Sequence, residues 1–379
     1  MSQVREVDFI VIGAGIAGAS AAAHLAAQGA VLLVEAEDHP GYHSTGRSAA
    51  LISETYGSAA VRRLTSASRS FLFEPPAGFA ANPLVTPRET LYFGTVDQLD
   101  LLERFRQDPD VAGRTVMLSA SQAHERVPAF RGDYLGGAVL ETGSADIDVD
   151  ALHQGFLRQA RAQGAEMLTG ARIEELSHVD GRWQLITRQG RFSAPVVVNA
   201  AGAWGDEVAR SAGVAPLGLQ PKRRTAALIE VPGGLDAARW PAAIAIDESF
   251  YFKPDAGLLL ISPADETDSP PCDAQPEELD VAIAVDRFEQ ATSAQVRRVS
   301  HSWAGLRVFS QDRTPVAGFD SVAEGFFWLV GQGGYGIQTA VALGRLTATL
   351  CASGKLPSDL IDIGLEEQML SPARFSTAR

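Results

Sequence analysis

Cysteine is scarce in this sequence, and its scarcity argues against two kinds of site. Cys272 and Cys351 are the only cysteines among 379 residues, and they form no Cys-x-x-Cys pair. A disulfide framework or a zinc site built on cysteine needs more sulfur atoms at closer spacing. A chain of this length buries a large core without cross-links. We therefore expect a protein of a reducing compartment with no metal-binding residues.

Long apolar runs are also missing. No stretch of about 18 apolar residues occurs, which is the length that a membrane-spanning helix needs. The apolar run at residues 9–12 ends at a glycine, and no basic region precedes a long apolar stretch. We therefore predict a cytoplasmic protein without a cleaved signal or a transmembrane segment, and peripheral attachment at the inner membrane stays open.

Positive charge is in deficit. Lysine and arginine number 32 against 46 acidic residues, for a formal net charge of −14. This balance argues against nucleic acid or anionic lipid as a general partner. An anionic substrate would need arginines gathered at one place, because arginine binds a carboxylate through two parallel hydrogen bonds. The candidates are Arg223, Arg224 and Arg307, which their sequence positions alone do not separate from surface arginines.

A glycine motif stands near the start of the chain. Residues 13–18 read Gly-Ala-Gly-Ile-Ala-Gly, between a buried strand and an alanine-rich helix. Gly13 permits a tight turn, Gly15 lets the backbone approach a pyrophosphate, and Gly18 lets the helix pack closely on the strand. Glu35 ends the next strand, where its carboxylate can accept hydrogen bonds from a ribose hydroxyl. The pattern predicts a dinucleotide at the helix N-terminus and does not separate NAD from FAD.

Two further loops carry glycines and small hydrogen-bond donors. Residues 40–50 include Arg47, which could neutralise diphosphate charge. Residues 331–338 (Gly-Gln-Gly-Gly-Tyr-Gly-Ile-Gln) join a buried strand to a helix, whose N-terminus would stabilise negative charge on a reduced flavin. These loops favour the larger cofactor, FAD, and an irregular surface loop and a generic tight turn are the alternatives.

Two kinds of strand alternate along the chain. Predominantly apolar segments, typical of buried parallel strands, occupy residues 8–12, 31–35, 195–200 and 326–331. Segments that suit a second, antiparallel sheet occupy residues 89–94, 136–141, 225–231, 241–247 and 249–262. Helices are predicted at 57–72, 97–107, 150–163 and 277–292 and from the last glycine loop to about Ala352, and the tail after Asp362 is predicted to be a surface segment. The fold class is therefore α/β, with a Rossmann-like FAD-binding domain and a second α+β substrate domain on a mostly antiparallel sheet.

These motifs carry a family resemblance. Together with the glycine motif, the blocks Gly-Tyr-His-Ser-Thr-Gly-Arg-Ser-Ala-Ala (41–50), Asn-Ala-Ala-Gly-Ala-Trp (199–204), Pro-Lys-Arg-Arg (221–224), Trp-Ala-Gly-Leu-Arg (303–307) and 331–338 resemble the D-amino acid oxidase superfamily of flavoproteins. Within it they are most similar to the bacterial FAD-dependent D-arginine dehydrogenases. The resemblance implies a discontinuous FAD-binding domain at 1–82, 142–212 and 308–379, and a substrate-binding domain at 83–141 and 213–307.

The resemblance also implies site residues. It assigns Arg224, Tyr251 and Arg307 to the substrate carboxylate, Tyr56 to a lid loop over the substrate, and Gly334 and Gln338 to positions beside the flavin. For non-covalent FAD it implies Gly13, Gly15, Ile16, Ala17, Gly18, Glu35, Ala36, His43, Ser44, Thr45, Arg47, Ser48, Ala49, Ala50, Arg172, Ile173, Ala200, Gly202, Trp204, Arg307, Gly333, Gly334, Tyr335, Gly336, Ile337 and Gln338.

Two positions depart from the D-arginine enzymes. Leu51 stands where they have a histidine, and Thr90 stands where a glutamate pairs with the substrate guanidinium. Glu89 is adjacent to Thr90 but points to the other face of an extended segment. We therefore expect D-amino acids with neutral or apolar side chains to be preferred over basic ones.

The implied reaction is oxidative deamination. With the carboxylate on Arg224 and Arg307, the Cα–H faces the flavin, the amine must be neutral, and no side-chain base is required. The rate should therefore rise with pH. The imino acid hydrolyses to a 2-oxo acid and ammonia, and a quinone or oxygen reoxidises the flavin. The alternatives are a sarcosine- or glycine-type amine oxidase, a 2-hydroxy acid dehydrogenase, a nicotinamide-dependent enzyme and a flavin-binding subunit without turnover.

Overall fold

The computed structural model of the chain describes residues 4–233 and 235–378. Its strands are β1 (Arg5–Glu6), β2 (Phe9–Ile12), β3 (Val31–Val34), β4 (Leu51–Ile52), β5 (Val85–Pro87), β6 (Thr90–Gly94), β7 (Thr115–Ser119), β8 (Gly137–Glu141), β9 (Ala145–Ile147), β10 (Glu166–Leu168), β11 (Ile173–Val179), β12 (Arg182–Thr187), β13 (Gly190–Ala194), β14 (Val196–Asn199), β15 (Gln220–Ile229), β16 (Ala242–Ala245), β17 (Tyr251–Asp255), β18 (Leu258–Ser262), β19 (Thr267–Asp268), β20 (Val299–Phe309), β21 (Val316–Phe319) and β22 (Phe326–Val330). Its helices are α1 (Ile16–Leu25), α2 (Ala59–Phe73), α3 (Leu99–Gln107), α4 (Pro109–Ala112), α5 (Ala120–Arg126), α6 (Val149–Ala162), α7 (Gly205–Ser211), α8 (Glu278–Ala291), α9 (Gly336–Ser353), α10 (Ser358–Asp362) and α11 (Glu367–Leu370).

A six-stranded sheet organises the first half of the architecture. Its order is β10-β3-β2-β14-β22-β21. Its strands pair in parallel as far as β22, and β21 runs antiparallel at the edge. Helices α1, α6 and α9 cover one face, and β12, β13 and α7 cover the other. Strands buried on both faces are apolar throughout, which explains the four predicted parallel-type segments, all of which belong to this sheet.

Helices α1 and α9 pack against each other through small residues. Ser20 Oγ donates a hydrogen bond to the Ala340 carbonyl at 2.7 Å. A Cβ at Gly344 would lie 2.0 Å from that hydroxyl, so the two backbones approach closely. Because α1 follows β2 and α9 follows β22, both helices begin at the carboxyl edge of the six-stranded sheet. Two helix N-termini therefore open on the same edge.

A nine-stranded sheet faces this edge. Its order is β19-β15-β18-β17-β16-β6-β8-β7, with β20 paired to β15. Every pair is antiparallel except β16 with β6. One face packs Leu91, Phe93 and Phe252 against α5 and α8 in a closed core. The opposite face looks towards the carboxyl edge of the six-stranded sheet.

The predicted fold class is confirmed by these two sheets. Their strands also segregate by sequence segment much as the predicted domains do, although the domain boundaries themselves stay a prediction. Smaller sheets, β4-β9-β5 and β1-β13-β12-β11, complete the structure. Among residues 4–233 and 235–378, none of the helices has both the length and the apolar composition for a membrane crossing.

Three details differ from the prediction. Residues 249–262 form two strands, β17 and β18, because Ala256 and Gly257 turn the chain with φ values of 46° and 83°. Residues 73–88, whose proline and glycine content predicts a crossover without regular structure, contain the short strand β5. The tail is not a surface segment, because Leu365 and Leu370 are each only 1% exposed in the core beneath α1 and α9.

Candidate active site

A cavity of about 600 Å³ lies between the two large sheets. It is lined by the N-termini of α1 and α9, the loop at 41–50, and strands β6, β15, β16, β17 and β20. The structure brings to its wall every site residue predicted from the sequence except Gly18 and Tyr335. Residues more than 300 positions apart thus meet at one site, although their individual roles stay predictions.

The turn before α1 explains two of the glycines. Gly13 has a φ of +96°, and a Cβ there would lie 2.6 Å from the Ala200 carbonyl oxygen. A Cβ at Gly18 would lie 1.8 Å from the Gly13 carbonyl oxygen. Gly18 therefore lies behind the cavity wall, where it allows the helix to pack, as its predicted packing role requires.

Hydrogen-bond groups converge at the start of α1. Its N-cap, Gly15, has no side chain to cap the helix, and the backbone N–H of Ile16 donates to Thr45 Oγ1 at 3.0 Å. The Glu35 carboxylate accepts from the backbone N–H of Ala14 at 2.7 Å and from that of Glu37 at 3.0 Å. A carboxylate has about four lone-pair sites, so Glu35 keeps capacity for a ribose hydroxyl. The orphan N–H groups of the first turn suit a phosphate.

Arg47, which could neutralise diphosphate charge, also has partners within the chain. Its guanidinium donates to the carbonyl oxygens of Ala274 at 2.8 Å and Ala304 at 3.0 Å, and it pairs with the Asp273 carboxylate. The positive charge of Arg47 is therefore balanced by Asp273. Arg47 still lines the cavity, but its principal contacts fasten the 41–50 loop to the segment before α8 and to β20.

The same loop is held by two more hydrogen bonds. Ser44 Oγ donates to the Leu306 carbonyl at 2.6 Å, and Trp303 Nε1 donates to the Arg47 carbonyl at 3.0 Å. Next to Ser44, the His43 ring lies 4.6 Å from the Trp204 ring. The loop held in this way forms one wall of the cavity.

The glycine loop before α9 is shaped around Arg307. A Cβ at Gly334 would lie 2.7 Å from Arg307 Nη1. Helix α9 begins at an N-cap, Tyr335, that makes no side-chain capping bond. The Tyr335 ring packs on Tyr56 with centroids 5.0 Å apart, and the cofactor contact of Tyr335 stays a prediction. The N-terminus of α9 and the guanidinium of Arg307 therefore lie together at the cavity wall.

Gln338 and Gln332 present unused donors. Gln338 Oε1 accepts from the backbone N–H of Ser53 at 3.1 Å. Its Nε2 and that of Gln332 are buried with no hydrogen-bond partner in the described part of the chain. Both glutamines line the cavity. Because buried polar groups are normally paired, these donors point to a ligand with acceptor atoms at this end.

Arg224 and Arg307, which are predicted to bind the substrate carboxylate, lie on one face of the nine-stranded sheet. Arg224 is opposite Gly305 and Lys222 is opposite Arg307 in the β15–β20 register, so the two arginine side chains point the same way. Arg224 donates to the Asp265 carbonyl at 2.8 Å and lies 3.4 Å from Glu266. Arg307 donates to the Tyr56 hydroxyl at 3.3 Å. Arg223, the third sequence candidate, instead pairs with Glu277 and Asp280 away from the cavity.

Mutual electrostatics keep this cluster positive. Burial lowers the pKa of Arg307, but the Tyr56 and Tyr251 hydroxyls outweigh that effect and hold the pKa above its usual value. Burial likewise raises the pKa of Tyr251, but the charges of Arg307 and Arg224 outweigh it and lower the pKa overall. Arg307 remains a cation whose recorded side-chain hydrogen bond goes to a phenol. The cluster is therefore suited to an anion such as a carboxylate.

The two departures from the D-arginine enzymes also lie in the cavity. Leu51 and Thr90 both line it, and Thr90 Oγ1 donates to Ser144 Oγ at 2.9 Å. Glu89 pairs with Arg126 outside the cavity, in agreement with the predicted alternation of side chains. The basic side chain of a D-arginine substrate would thus find no carboxylate at position 90.

The sequence interpretation missed three polar groups on the same sheet. Tyr92 and Lys253 line the cavity, and Glu141 lies behind them at 2% exposure. Glu141 accepts hydrogen bonds from Ser53 Oγ at 2.7 Å and Thr55 Oγ1 at 2.8 Å. Period-two alternation from Tyr251 identifies Lys253, since both point to one face.

These groups fit FAD. The glycine turn, Glu35, two uncapped helix N-termini and the unpaired glutamine donors supply the contacts that a dinucleotide with a polar ring system requires. The adenosine end would lie at Glu35 and Trp204, and the ring at Gly334 and Gln338.

Comparisons with known proteins agree. The chain is 26% identical over 380 residues to the uncharacterized oxidoreductase YurR of Bacillus subtilis, covering 93% of this chain and 96% of YurR. Its fold matches the crystal structure of L-proline dehydrogenase from P. horikoshii with a TM-score of 0.85 at 19% identity, over 100% of both chains. It matches glycine oxidase from Geobacillus kaustophilus with a TM-score of 0.81 at 21% identity, over 96% and 99% of the two chains. A family model described as DAO, FAD dependent oxidoreductase, matches residues 8–350. The chain therefore belongs to the DAO family of FAD-dependent oxidoreductases.

Proposed function

We propose that this enzyme oxidatively deaminates D-amino acids to 2-oxo acids and ammonia, with non-covalently bound FAD. The observation that carries the proposal is the placement of Arg224 and Arg307 on one sheet face, beside Gly334 at the start of α9. When bound, FAD supplies a ring nitrogen that accepts a hydride from the substrate. In an α-amino acid the carboxylate and the reacting Cα–H lie close enough together to use both features.

The arginines fix the substrate carboxylate. Arg307 offers a planar pair of donors, and Tyr251 and Tyr56 offer hydroxyls on either side of it. Anchoring the carboxylate restricts the orientation of Cα relative to the α9 end of the cavity. This is catalysis by positioning rather than by proton transfer.

The chain contributes no assigned general base. The substrate amine must lose its proton before the hydride leaves, so the rate should rise as that amine deprotonates. The N-terminus of α9 places partial positive charge where negative charge develops during the reaction. The imino acid product then hydrolyses in water.

The preference for D-enantiomers rests on the resemblance to D-arginine dehydrogenases. Basic side chains should be disfavoured, because Leu51 and Thr90 replace the groups that would receive them. We propose that the enzyme prefers neutral over basic substrate side chains and that a quinone or oxygen reoxidises the flavin. We also propose a cytoplasmic location, with peripheral attachment at the inner membrane as the alternative.

A second candidate is a sarcosine- or glycine-type amine oxidase of the same family. The likeness in fold to glycine oxidase favours it, since glycine would use the same carboxylate anchors. Oxidation of N-methylglycine would release methylamine or formaldehyde, whereas a primary D-amino acid releases ammonia. A 2-hydroxy acid dehydrogenase would release no amine at all.

The test is anaerobic mixing of the flavin-loaded enzyme with D- and L-amino acids, sarcosine, glycine and 2-hydroxy acids. Bleaching of the flavin absorbance by D-amino acids, with ammonia as product, is the expected result. Bleaching only by sarcosine or glycine would move the assignment to the second candidate. Bleaching only by L-amino acids would overturn the proposed stereochemistry. Subsequent exposure to oxygen or to a quinone analogue identifies the acceptor.

A further inference from the structure

Lys253 lies close to the residues proposed to bind the substrate carboxylate, on the same strand as Tyr251. Lys253 follows Tyr251 by two residues on β17, so both side chains point to one face, about 7 Å apart along the strand. Both line the cavity. Tyr251 belongs to the cluster of Arg224 and Arg307. The cavity therefore has cationic groups at two places on the same face of the sheet.

The wall between these places is short and mostly apolar. Ile244 is opposite Tyr251 in the β16–β17 register, and Ala242 is opposite Thr90 in the β16–β6 register. Ala242, Ile244 and Leu51 line the cavity. A substrate side chain running from the anchors along this wall would pass small apolar groups and reach Lys253.

The charge at Lys253 is incompletely balanced. Its ammonium pairs with one oxygen of Asp146, and Arg88 Nε donates to the other oxygen at 2.7 Å. One carboxylate thus serves two cations, which leaves a net charge of about +1 on the three groups. Lys253 is only 5% exposed, and an ammonium has three donors of which Asp146 accepts one. A buried, unbalanced cation is costly unless an anion joins it.

The other charged groups near this wall are engaged elsewhere. Glu141, opposite Thr90 across β6, accepts from Ser53, Thr55 and the backbone N–H of Glu54. Glu89 pairs with Arg126 on the far side. Glu248, in the turn between β16 and β17, also lines the cavity. Among the charged residues on strands β6, β16 and β17 themselves, Lys253 is the one that lines it in the described part of the chain.

We propose that Lys253 is a specificity-determining residue that binds an anionic group on the substrate, so that the preferred amino acids carry a carboxylate on a short side chain, as aspartate and glutamate do. This deepens the proposed function and rests on it. The same ammonium repels basic side chains, and it sharpens the expected preference for non-basic ones by favouring acidic over neutral.

Binding of non-oxidisable acids tests Lys253 without turnover. Succinate and butyrate have the same chain length, but only succinate has a second carboxylate. We expect the flavin-loaded enzyme to bind succinate at least about tenfold more tightly, read as the change in flavin absorbance during titration. The Lys253→Met variant should lose this advantage and bind butyrate as before, whereas Lys253→Arg should keep it. Asp146 stays paired with Arg88 in both variants, which favours folding, and Lys355→Met on the surface is the matched control.

Turnover supplies the second measurement. The kcat/KM for D-glutamate and D-aspartate should exceed that for D-glutamine and D-asparagine by about tenfold or more, and Lys253→Met should remove the difference. Equal affinity for succinate and butyrate, or an unchanged ratio in Lys253→Met, would overturn the role of Lys253. If no amino acid bleaches the flavin, the proposed function is overturned. The succinate titration would then still test whether Lys253 binds an anionic group.

Discussion

The backbone of Gly334 lies so close to the Arg307 side chain that a methyl group at position 334 would clash with it. A Cβ at position 334 would lie 2.7 Å from Nη1 and 2.8 Å from Cζ of the guanidinium. The loop that begins α9 and the strand that carries Arg307 are thus in direct contact, with no room for any residue except glycine at this point. In the proposed function, this contact joins the part of the cavity that holds the flavin ring to the part that binds the substrate.

Replacing Gly334 by alanine should therefore displace Arg307. A shift of about 1 Å at a substrate anchor lowers kcat/KM by about a hundredfold, and we expect a loss of that order with FAD still bound. Steady-state kinetics with the best amino acid measures it. Gly113→Ala is the control, because a Cβ at Gly113 meets nothing within 4 Å and should leave kcat/KM unchanged. Wild-type kinetics in Gly334→Ala would contradict the anchoring role of Arg307.

Replacing Arg307 by lysine tests the planar, two-donor contact with the carboxylate. Lysine keeps the charge and loses the fork of donors, so KM should rise by about tenfold to a hundredfold. The exposed Arg297 provides the control variant Arg297→Lys. The idea fails if KM moves by less than about twofold while the flavin spectrum is normal.

Replacing Glu35 by glutamine tests the proposed ribose contact. The carboxylate oxygens of Glu35 accept hydrogen bonds from two backbone N–H groups. The amide of glutamine has a single acceptor oxygen for both of these N–H groups, so no acceptor site is left for a ribose hydroxyl. We expect the Kd of FAD to rise by about tenfold or more, measured by quenching of FAD fluorescence as the apoprotein is titrated. Glu125→Gln, on an exposed turn of α5, should leave that Kd unchanged. An unaltered Kd in Glu35→Gln would place the ribose elsewhere.

The buried Glu141 predicts a pH dependence of stability. Burial raises the pKa of its carboxyl above the usual value, although hydrogen bonds from Ser53 and Thr55 oppose the shift. A raised pKa in the folded state adds stability below the ordinary carboxyl pKa, and this stability is lost as pH rises through the folded pKa. Relative to the wild type, Glu141→Gln should therefore gain in Tm as pH rises through that window. The Tm values of the wild type and of Glu141→Gln are measured by thermal unfolding from about pH 4 to about pH 8, with Glu125→Gln as the control. A Tm difference independent of pH would show that Glu141 keeps an ordinary pKa.

The parts of the site that the sequence predicted are those written in short, contiguous motifs. The turn at Gly13, the carboxylate of Glu35 and the loop before α9 each depend on local backbone geometry, which glycine positions reveal. Lys253 was missed because its meaning depends on a partner, Asp146, 107 residues earlier in the chain. The pairing of Arg47 with Asp273 was not foreseen for the same reason, since the two residues are 226 positions apart.

The tail shows a related limit. Its apolar residues are spaced too irregularly for a periodicity argument, yet Leu365 and Leu370 are buried because the core beneath α1 and α9 offers them a place. Such burial follows from the assembled sheet and helices and not from the local pattern. Long-range pairing of this kind has no signal in a single sequence.

We expect the hydrogen bonds that hold the 41–50 loop to control how the cofactor enters and leaves. Arg47, Ser44 and Trp303 join that loop to the same strand that carries Arg307. A dinucleotide lying behind the loop could escape only after these bonds open together, so its exchange is a cooperative event rather than a side-chain motion. The enzyme should therefore hold one FAD molecule through many turnovers. The rate at which FAD dissociates should be set by the rate at which the hydrogen bonds between the 41–50 loop and β20 open.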